Sequence, residues 1–550
     1  MNEGADHADP APRFPIGNAV RSRAIMKRLL WVLLALFPLL VACVGPAQRG
    51  EAPAIAGPGA AMPGPPPTPS STEEALQALL SAKPSPLAIG EQECAALERF
   101  YAARAYRPLW VGAAGLEPAG TMLLARLTQI RNAGGPAISD RLSAAAMPAQ
   151  QPVADELAKQ ELLLSAAYLQ TAVDPRDPAS FASPSKALVE AAAASDKRSF
   201  LRRWLPLDPA FWRLRAALQT YQAIQARGGW PSVPAGPKLV LGDQGARVEA
   251  LRRRLWITGD LTETGTRLDS FDAALEAAVK RFQRRHGLAA DGVVGVATLE
   301  ALNLPVARRL DTITVNLMRL RQQQREWGPR YIAVNAAAAT YRLVDGGRQI
   351  FDKAAIVGRR SWPTPQIDSL IDRLEFNPYW VVPPRIERLE LLPKIQRDPD
   401  YMRRHDMHWV GGQIRQDPGP QNPLGVVKFL FPNPYDVYLH DTNNRKLFER
   451  QDRFLSHGCI RIADALSLAT YLLKDDPQWS PDRIAAVVKA GRNLQVRLVD
   501  PIPVHVVYDT AWVDESGAVQ FRDDVYGRDR LVAPSLPKPA DHASSSSCKG

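Results

Sequence analysis

Apolar residues recur at helical spacing between residues 73 and 236. Three segments, 73–82, 155–173 and 211–226, place apolar side chains three or four positions apart, which is the pattern of amphipathic helices. No cluster of chemically reactive residue types accompanies them. We therefore expect residues 73–236 to form a helical scaffold domain.

A second run of helical periodicity, residues 237–306, begins with a turn and is much shorter. Val248, Leu251 and Leu255 share one face of a predicted helix, and two further helical segments follow before the run ends. Three short helices can bury one small core but leave little room for a catalytic cleft. This run is therefore predicted to be a three-helix binding module rather than an enzyme.

After residue 330 the apolar positions change to short alternating runs, which predict β-strands. Residues 345–347, Asp-Gly-Gly, are a hairpin signal between two of these strands. A polar stretch at 385–425 interrupts the strand series, and we expect it to form a lid because long insertions beside a sheet are usually functional. Strands resume at 426–441, so residues 307–530 are predicted to form a β-rich domain. The fold class is accordingly multidomain α+β.

The start of the chain has the pattern of an export signal. Two basic residues precede an apolar run at 29–42, which is shorter than the roughly 18–20 residues of a transmembrane helix. The run ends in Leu-Val-Ala-Cys, which resembles the bacterial lipobox, so residues 1–43 are predicted to be a signal peptide with Cys43 as the lipidated residue. Because Val44 is not Asp, we expect a periplasmic protein anchored to the outer membrane. An ordinary signal peptide or an uncleaved anchor is the alternative.

Composition adds the flanking segments and the charge. Residues 44–72 are rich in proline and alanine and are predicted to be an extended tether, and residues 531–550 a disordered tail. With 46% hydrophobic and 23% charged residues, the chain can bury a large core, which excludes wholesale disorder. Its net charge of +11 suits an anionic partner. The basic residues are spread along the chain, so charge alone does not decide between nucleic acid, anionic lipid and a carboxylate-bearing polymer.

Cysteine usage points to a nucleophile rather than a metal site. The four cysteines include no Cys-x-x-Cys pair and no zinc spacing, and removal of Cys43 leaves an odd number. Cys459 follows Gly458 in a tight turn that would expose the sulfur, and the backbone N–H groups of both residues could stabilise an oxyanion. His440 and His457 are candidate bases, and spacing alone does not choose between them. A buried, inert cysteine remains the alternative at this point.

The sequence from His440 to the Ser-His-Gly-Cys-Ile-Arg string at 456–461 resembles the signature of L,D-transpeptidase catalytic domains of the YkuD type. The surrounding sequence, including residues 377–384 and 414–442, resembles that of the large, YcbB-like branch of that family. Residues 237–304 resemble bacterial peptidoglycan-binding domains. The order of a helical scaffold, a binding bundle and a catalytic domain with a lid matches as well.

This resemblance implies a two-step acyl transfer that needs no cofactor and no metal. Cys459 would attack the diaminopimelate carbonyl of a tetrapeptide stem and expel D-alanine, with His440 as the general base. The Gly458 N–H and the Tyr438 hydroxyl would stabilise or position the oxyanion. The thioester would then pass to a second diaminopimelate, which gives a peptidoglycan cross-link.

The resemblance also implies the partners and the remaining site residues. Ser456, His457, Arg461 and Trp380 are expected to bind substrate, although a single arginine fits an internal salt bridge equally well. Peptidoglycan stem peptides and carbapenem inhibitors are the expected ligands, and no nucleic acid. The alternatives are a carboxypeptidase, an endopeptidase or an amidating transferase using the same thiol. A non-catalytic wall-tethering lipoprotein would predict a damaged nucleophile or base, and Cys459 and its candidate base are both present.

Overall fold

The computed structural model describes residues 71–82, 87, 89–132, 153–171, 184–262 and 267–532. The expectations for the signal peptide, the lipidation of Cys43 and nearly all of the tether and tail fall outside these residues. Of the helices in the described ranges, none has both the length and the apolar character required to span a membrane.

In the described part of residues 73–236, seven helices and a small hairpin form the expected helical region. They enclose one hydrophobic core that includes Trp110, Tyr168 and Leu214. Helices predicted at 155–173 and 211–226 are confirmed, with ends that differ by no more than two residues. The helices are α1 (Thr72–Ser81), α2 (Glu91–Ala102), α3 (Pro118–Asn132), α4 (Ala154–Thr171), α5 (Pro184–Ala193), α6 (Lys197–Trp204) and α7 (Pro209–Ala226), and the hairpin strands are β1 (Val111–Gly112) and β2 (Gly115–Leu116).

The expected binding module consists of three helices around its own core, with Leu255 and Phe282 fully buried. It is packed onto the rest of the chain. The His286 ring stacks on Phe282 and also on Phe521, at centroid distances of 3.9 and 5.5 Å. The three helices are α8 (Ala246–Ile257), α9 (Ala273–Arg285) and α10 (Val296–Asn303).

The strands of the β-rich region confirm the predicted hairpin, in which Asp345 pairs with Arg348. This region completes the α+β architecture expected from the sequence. Its strands in chain order are β3 (Tyr331–Asn335), β4 (Thr340–Asp345), β5 (Arg348–Gly358), β6 (Ile367–Phe376), β7 (Trp380–Val381), β8 (Met407–Val410), β9 (Gln413–Gln416), β10 (Val427–Leu430), β11 (Leu439–His440), β12 (Phe454–Ser456), β13 (Ile460–Ile462), β14 (Leu494–Val507), β15 (Ala511–Val513) and β16 (Val519–Phe521).

Nine of these strands form one sheet in the order β12-β5-β13-β11-β10-β6-β14-β3-β4. Strand β5 also pairs with β4, which closes eight strands into a ring and leaves β12 attached to β5. The helix Ala465–Leu472 packs on the resulting apolar core through Leu468 and Ala469. The short strands β11 and β13 lie side by side in the ring, so the two candidate chemical segments are neighbours.

The helix Val306–Gln323 and the β15–β16 hairpin join the helical core rather than the sheet. Ile313 and Leu317 of the helix and Phe521 of the hairpin are buried in the same cluster as the scaffold helices. The domain boundary predicted at residue 307 had placed both elements in the β-rich domain. Both elements directly connect to the sheet along the chain, so they tie the scaffold to it.

The polar insertion expected to be a lid is an ordered subdomain. Strands β7, β9 and β8 form its three-stranded sheet, and short helical segments cover its own core of Val382, Ile386, Leu391, Met407 and Ile414. The helical segments are Pro384–Ile386, the π-helical turn Glu387–Leu391, Leu392–Arg397 and Tyr401–Arg404.

Candidate active site

The parallel pairing of β11 and β13 sets the geometry of the site. Leu439 pairs with Ile460 and His440 with Arg461. Leu439 and Ile460 are fully buried in the core of the sheet. Because side chains alternate along a strand, His440, Arg461 and the residue before Ile460, Cys459, belong to the opposite face. The structure therefore brings the expected nucleophile and base to one surface.

The turn before Cys459 is held by a serine hydroxyl. Gly458 has a φ of +114°, which favours glycine. Its N–H donates to Ser456 Oγ at 3.1 Å, and Ser456 Oγ donates to the Cys459 carbonyl at 2.5 Å. The Gly458 N–H, expected to face an oxyanion, is therefore engaged within the turn. Within the described residues the Cys459 N–H has no hydrogen-bond acceptor, which leaves it as the backbone donor of the turn.

The Cys459 thiol is only partly exposed, and its surroundings act on its pKa in both directions. Burial raises the pKa of the Cys459 thiol. The Tyr438 backbone N–H, the charge of Lys428, the Tyr438 hydroxyl and the charge of Arg461 oppose that rise without cancelling it. Cys459 Sγ also lies 3.7 Å from the Asp436 carbonyl oxygen. The thiol is therefore protonated at neutral pH.

His440 is 3% exposed and neutral over the physiological range. Burial, followed by the positive charge of Arg461, lowers its pKa to about 3. The backbone groups of Asp441 and Leu424 favour the charged form but do not offset these effects. His440 Nδ1 is buried without a hydrogen-bond partner among the described residues. A neutral imidazole can accept a proton, so the site holds a neutral thiol and an imidazole able to act as a base rather than a preformed ion pair.

Lys428 is a site residue that the sequence reasoning missed. It pairs with His440 across β10 and β11, and its Nζ lies 4.1 Å from the centroid of the Tyr438 ring. A carboxylate oxygen of Glu375 is 3.8 Å from Nζ. The available signal was a lone lysine in the apolar strand Val-Val-Lys-Phe-Leu-Phe, which pointed to the non-core face.

Arg461 sits beside the thiol without an acidic partner. Burial lowers the pKa of its guanidinium, and the opposing effect comes from Cys459. Its Nε is buried without a hydrogen-bond partner, and no carboxylate of the described residues lies within salt-bridge distance. The internal salt bridge considered from the sequence is therefore not formed there.

His457 faces the lid rather than the sheet. Its Nε2 lies 2.6 Å from Oε1 of Glu390, and the Trp362 ring packs edge-on against the imidazole at 4.9 Å. Arg359 Nη2 lies 3.0 Å from the same Glu390 oxygen. His457 and Arg359 lower the pKa of the Glu390 carboxyl despite its partial burial. The turn that carries Cys459 is thus bonded to the insertion expected to be a lid.

The other two residues expected to bind substrate have different surroundings. Ser456 is 3% exposed, and both hydrogen bonds of its hydroxyl stay within the turn. Trp380 pairs with Gln416 in the lid sheet and packs against the lid core. Neither side chain forms a hydrogen bond with the Cys459 thiol in the described part of the chain. As for metals, the described part of the chain has no group of three or more His, Cys, Asp or Glu side chains arranged to hold an ion.

Comparisons with known proteins match three regions of the chain. Residues 329–487 match the L,D-transpeptidase catalytic domain, residues 244–302 the putative peptidoglycan binding domain, and residues 95–218 the scaffold domain. A Haemophilus influenzae protein named "Putative L,D-transpeptidase" is 32% identical over 222 residues, which cover 36% of this chain and 45% of that protein. The match thus spans less than half of that relative's length.

Similar solved structures have much lower identity. An L,D-transpeptidase from Stackebrandtia nassauensis is 16% identical, with coverage of 51% of this chain and 97% of that one and a TM-score of 0.21. An L,D-transpeptidase from Mycobacterium smegmatis is 19% identical, with coverage of 32% and 58% and a TM-score of 0.18. The chain thus combines a segment that matches the L,D-transpeptidase catalytic domain with preceding segments that match a scaffold domain and a putative peptidoglycan binding domain.

Proposed function

We propose that this chain is an L,D-transpeptidase that cross-links peptidoglycan stem peptides through a thioester on Cys459. The observation that carries the proposal is the placement of a partly exposed thiol and a buried neutral imidazole on one face of β11 and β13, within a matched L,D-transpeptidase domain. A thiol needs a base to become a nucleophile, and His440 supplies one.

In the first step His440 takes the thiol proton as Cys459 Sγ bonds to the carbonyl carbon of diaminopimelate in a tetrapeptide stem. The Cys459 N–H and the Tyr438 hydroxyl stabilise the resulting oxyanion. The intermediate collapses with cleavage of the amide bond, and the proton held by His440 goes to the departing amine of D-alanine. A thioester remains on Cys459.

In the second step the side-chain amine of another diaminopimelate attacks the thioester. His440 accepts a proton from this amine and returns one to the sulfur as the carbon–sulfur bond breaks. The product is an amide between two stems, and the thiol is regenerated. No oxidant, metal or organic cofactor enters this balance.

Arg461 is proposed to hold a carboxylate of the donor stem. A half-buried guanidinium without an acidic partner is costly, and a bound carboxylate would offset that cost. Lys428 already has Glu375 nearby, so Arg461 is the cation of the site that is free to take a new partner among the described residues.

The acceptor decides between a transpeptidase and the hydrolytic alternatives, because carboxypeptidase and endopeptidase activities use the same acyl-enzyme. Incubation of purified tetrapeptide muropeptides with the protein, followed by mass spectrometry, separates them. Dimers that have lost one D-alanine, absent with Cys459→Ala, support the proposal. Tripeptides and free D-alanine without dimers would instead identify a hydrolase, and no product at all would favour a wall-tethering protein.

Carbapenems are proposed as inhibitors that react at the same sulfur. A β-lactam amide is a strained carbonyl, and one L,D-transpeptidase has been solved in complex with imipenem. Intact-protein mass spectrometry should show one imipenem adduct on the wild type and none on Cys459→Ala. An adduct that persists on Cys459→Ala would mean that a different nucleophile reacts.

Residues 244–302 match a peptidoglycan-binding domain, which suggests a cell-wall-related location. We propose beyond this that the protein is exported and held at the outer membrane through acylated Cys43. Labelled palmitate should enter the wild type and not Cys43→Ser. Equal labelling of both proteins would contradict the anchor.

A further inference from the structure

The loop between β5 and β6 packs directly against the turn that carries the nucleophile. Gly358, at the end of β5, approaches so closely that an added Cβ would lie 2.0 Å from the Trp362 carbonyl oxygen. The Arg359 N–H donates to the Ser456 carbonyl at 2.9 Å. The β5–β6 loop and the turn before Cys459 are therefore hydrogen-bonded to each other and form one packed unit.

Thr364 is the point where this loop bonds to the nucleophile turn. Its side chain is fully buried, and its Oγ1 accepts from the Gly358 N–H at 2.9 Å. The same hydroxyl donates to the Gly458 carbonyl at 2.8 Å. Because a hydroxyl has one proton, the bond from Gly358 leaves that proton for Gly458.

The Gly458 carbonyl and the Cys459 N–H belong to one peptide unit. In a trans peptide the two groups point in opposite directions. A carbonyl held toward Thr364 therefore aims the Cys459 N–H away from the loop, where it has no acceptor among the described residues. This is the backbone donor that the proposed mechanism assigns to the oxyanion.

Without such a bond the peptide unit would turn easily. Gly458 has no side chain, and its φ of +114° lies where glycine moves with little steric cost. The C-terminal segment holds the β5–β6 loop in place through two hydrogen bonds. Tyr526 Oη donates to the Gly358 carbonyl at 2.5 Å, and Arg528 Nη2 donates to the Thr364 carbonyl at 2.9 Å.

We propose that Thr364 is a positioning residue that fixes the Gly458–Cys459 peptide so that the Cys459 N–H faces the oxyanion. The proposal rests on the proposed acyl transfer at Cys459. It assigns Thr364 no contact with substrate and no proton transfer. Its effect should therefore appear in reactions that form an oxyanion and not in reactions that use only the thiol.

Two reagents separate these reactions. p-Nitrophenyl acetate acylates a thiol through a tetrahedral oxyanion, whereas iodoacetamide alkylates it by direct displacement without one. Both rates are measured on the full chain, with Cys459→Ala as the background for the other cysteines. The ester reports the oxyanion site whatever the natural acceptor is. A wild type that reacts with the ester but not with muropeptides would therefore contradict the proposed function and leave this test intact.

The variants are Thr364→Val, which removes the hydroxyl at nearly constant shape, and Thr364→Ser, which keeps it. Thr171→Val is the matched control, because Thr171 is also buried with its hydroxyl on backbone carbonyls, far away in α4. We expect Thr364→Val to slow acylation at least tenfold, toward the roughly 10²–10³-fold that loss of one oxyanion donor costs. Alkylation should stay within about threefold, and Thr364→Ser and Thr171→Val should acylate nearly as the wild type.

Three results would overturn the proposal. They are unchanged acylation in Thr364→Val, equal slowing of acylation and alkylation, and a Thr364→Ser variant as slow as Thr364→Val. If Thr364→Val melts far below the wild type, Thr364→Ala serves in its place and is judged by the same ratio of acylation to alkylation rates.

Discussion

His457 Nε2 lies 2.6 Å from Oε1 of Glu390, which joins the nucleophile turn to the lid by a hydrogen bond. The two residues are 67 positions apart in the chain. Glu390 also bonds Arg359, so its carboxylate links the lid to both halves of the unit formed by the turn and the β5–β6 loop. From the sequence, His457 was a candidate for the base or for a substrate contact. In the structure its ring instead bonds the lid.

Replacing Glu390 should loosen the lid. In Glu390→Gln the carboxylate charge is lost, and partly exposed pairs of this kind are worth roughly 0.5–1 kcal/mol. Amide hydrogen exchange in residues 385–425 should therefore rise about two- to fivefold, and KM for muropeptides should rise more than kcat falls. Asp400→Asn is the control and should change neither, because Asp400 is an exposed carboxylate of the same insertion that pairs only locally, with Arg403 in the helix it precedes. Equal exchange in Glu390→Gln and the wild type would rule out this bond as a lid contact.

Loss of the base should slow acylation strongly. His440→Ala is expected to form the imipenem adduct about 10²–10⁴-fold more slowly, because general base catalysis typically contributes that factor. His457→Ala should lose less, since His457 bonds Glu390 and is not placed beside the thiol by the strand pairing. The time course of the adduct by intact-protein mass spectrometry measures both. A normal rate for His440→Ala would move the role of base to His457.

The pH dependence of acylation should show no ionisation near pH 6.5. The pKa of His440 is lowered to about 3, so this base is already neutral at pH 5. The pKa of Cys459 is raised, so the thiol stays protonated through pH 8. The rate of adduct formation should be nearly constant from pH 5 to 8 and rise only at higher pH. A change in the acylation rate with a midpoint between pH 6 and 7 that persists in His457→Ala would contradict the conclusion that His440 is buried and neutral.

Packing of the bundle on the β15–β16 hairpin should make stability depend on pH. Burial lowers the pKa of His286 well below its ordinary value, so the unfolded chain binds the proton more readily. Its contribution to stability is present above about pH 6.5 and is lost as the pH falls, by up to about 1.4 kcal/mol per pH unit. His286→Phe keeps a ring between Phe282 and Phe521 and should show a smaller drop in Tm from pH 7.5 to pH 5. An identical drop in both proteins would contradict this burial.

The helices and the turn before Cys459 were predictable because their signals are local. The helix predicted at residues 73–82 is observed at Thr72–Ser81, and the turn before Cys459 was visible as a glycine next to a cysteine. The partners of that turn were not predictable in this way. Thr364 is 94 positions from Gly458, and only the closed ring of strands brings the two together.

Two further features of the site differ from the sequence analysis or were absent from it. The Gly458 N–H was expected to face an oxyanion, but the hydroxyl of Ser456 bends back to accept it. Lys428 was not singled out from the sequence, and the pairing of β10 with β11 places it opposite His440. Neither contact follows from residue types or spacing alone.

The most direct test of the account is to trap the acyl-enzyme with a tetrapeptide stem. The full chain is mixed with excess donor, quenched in acid within seconds and analysed by intact-protein mass spectrometry and peptide mapping. The account predicts one added mass equal to the donor stem without its terminal D-alanine, carried on Cys459, and no added mass on Cys459→Ala. An added mass that remains on Cys459→Ala, or turnover of the donor by that variant, would contradict Cys459 as the nucleophile.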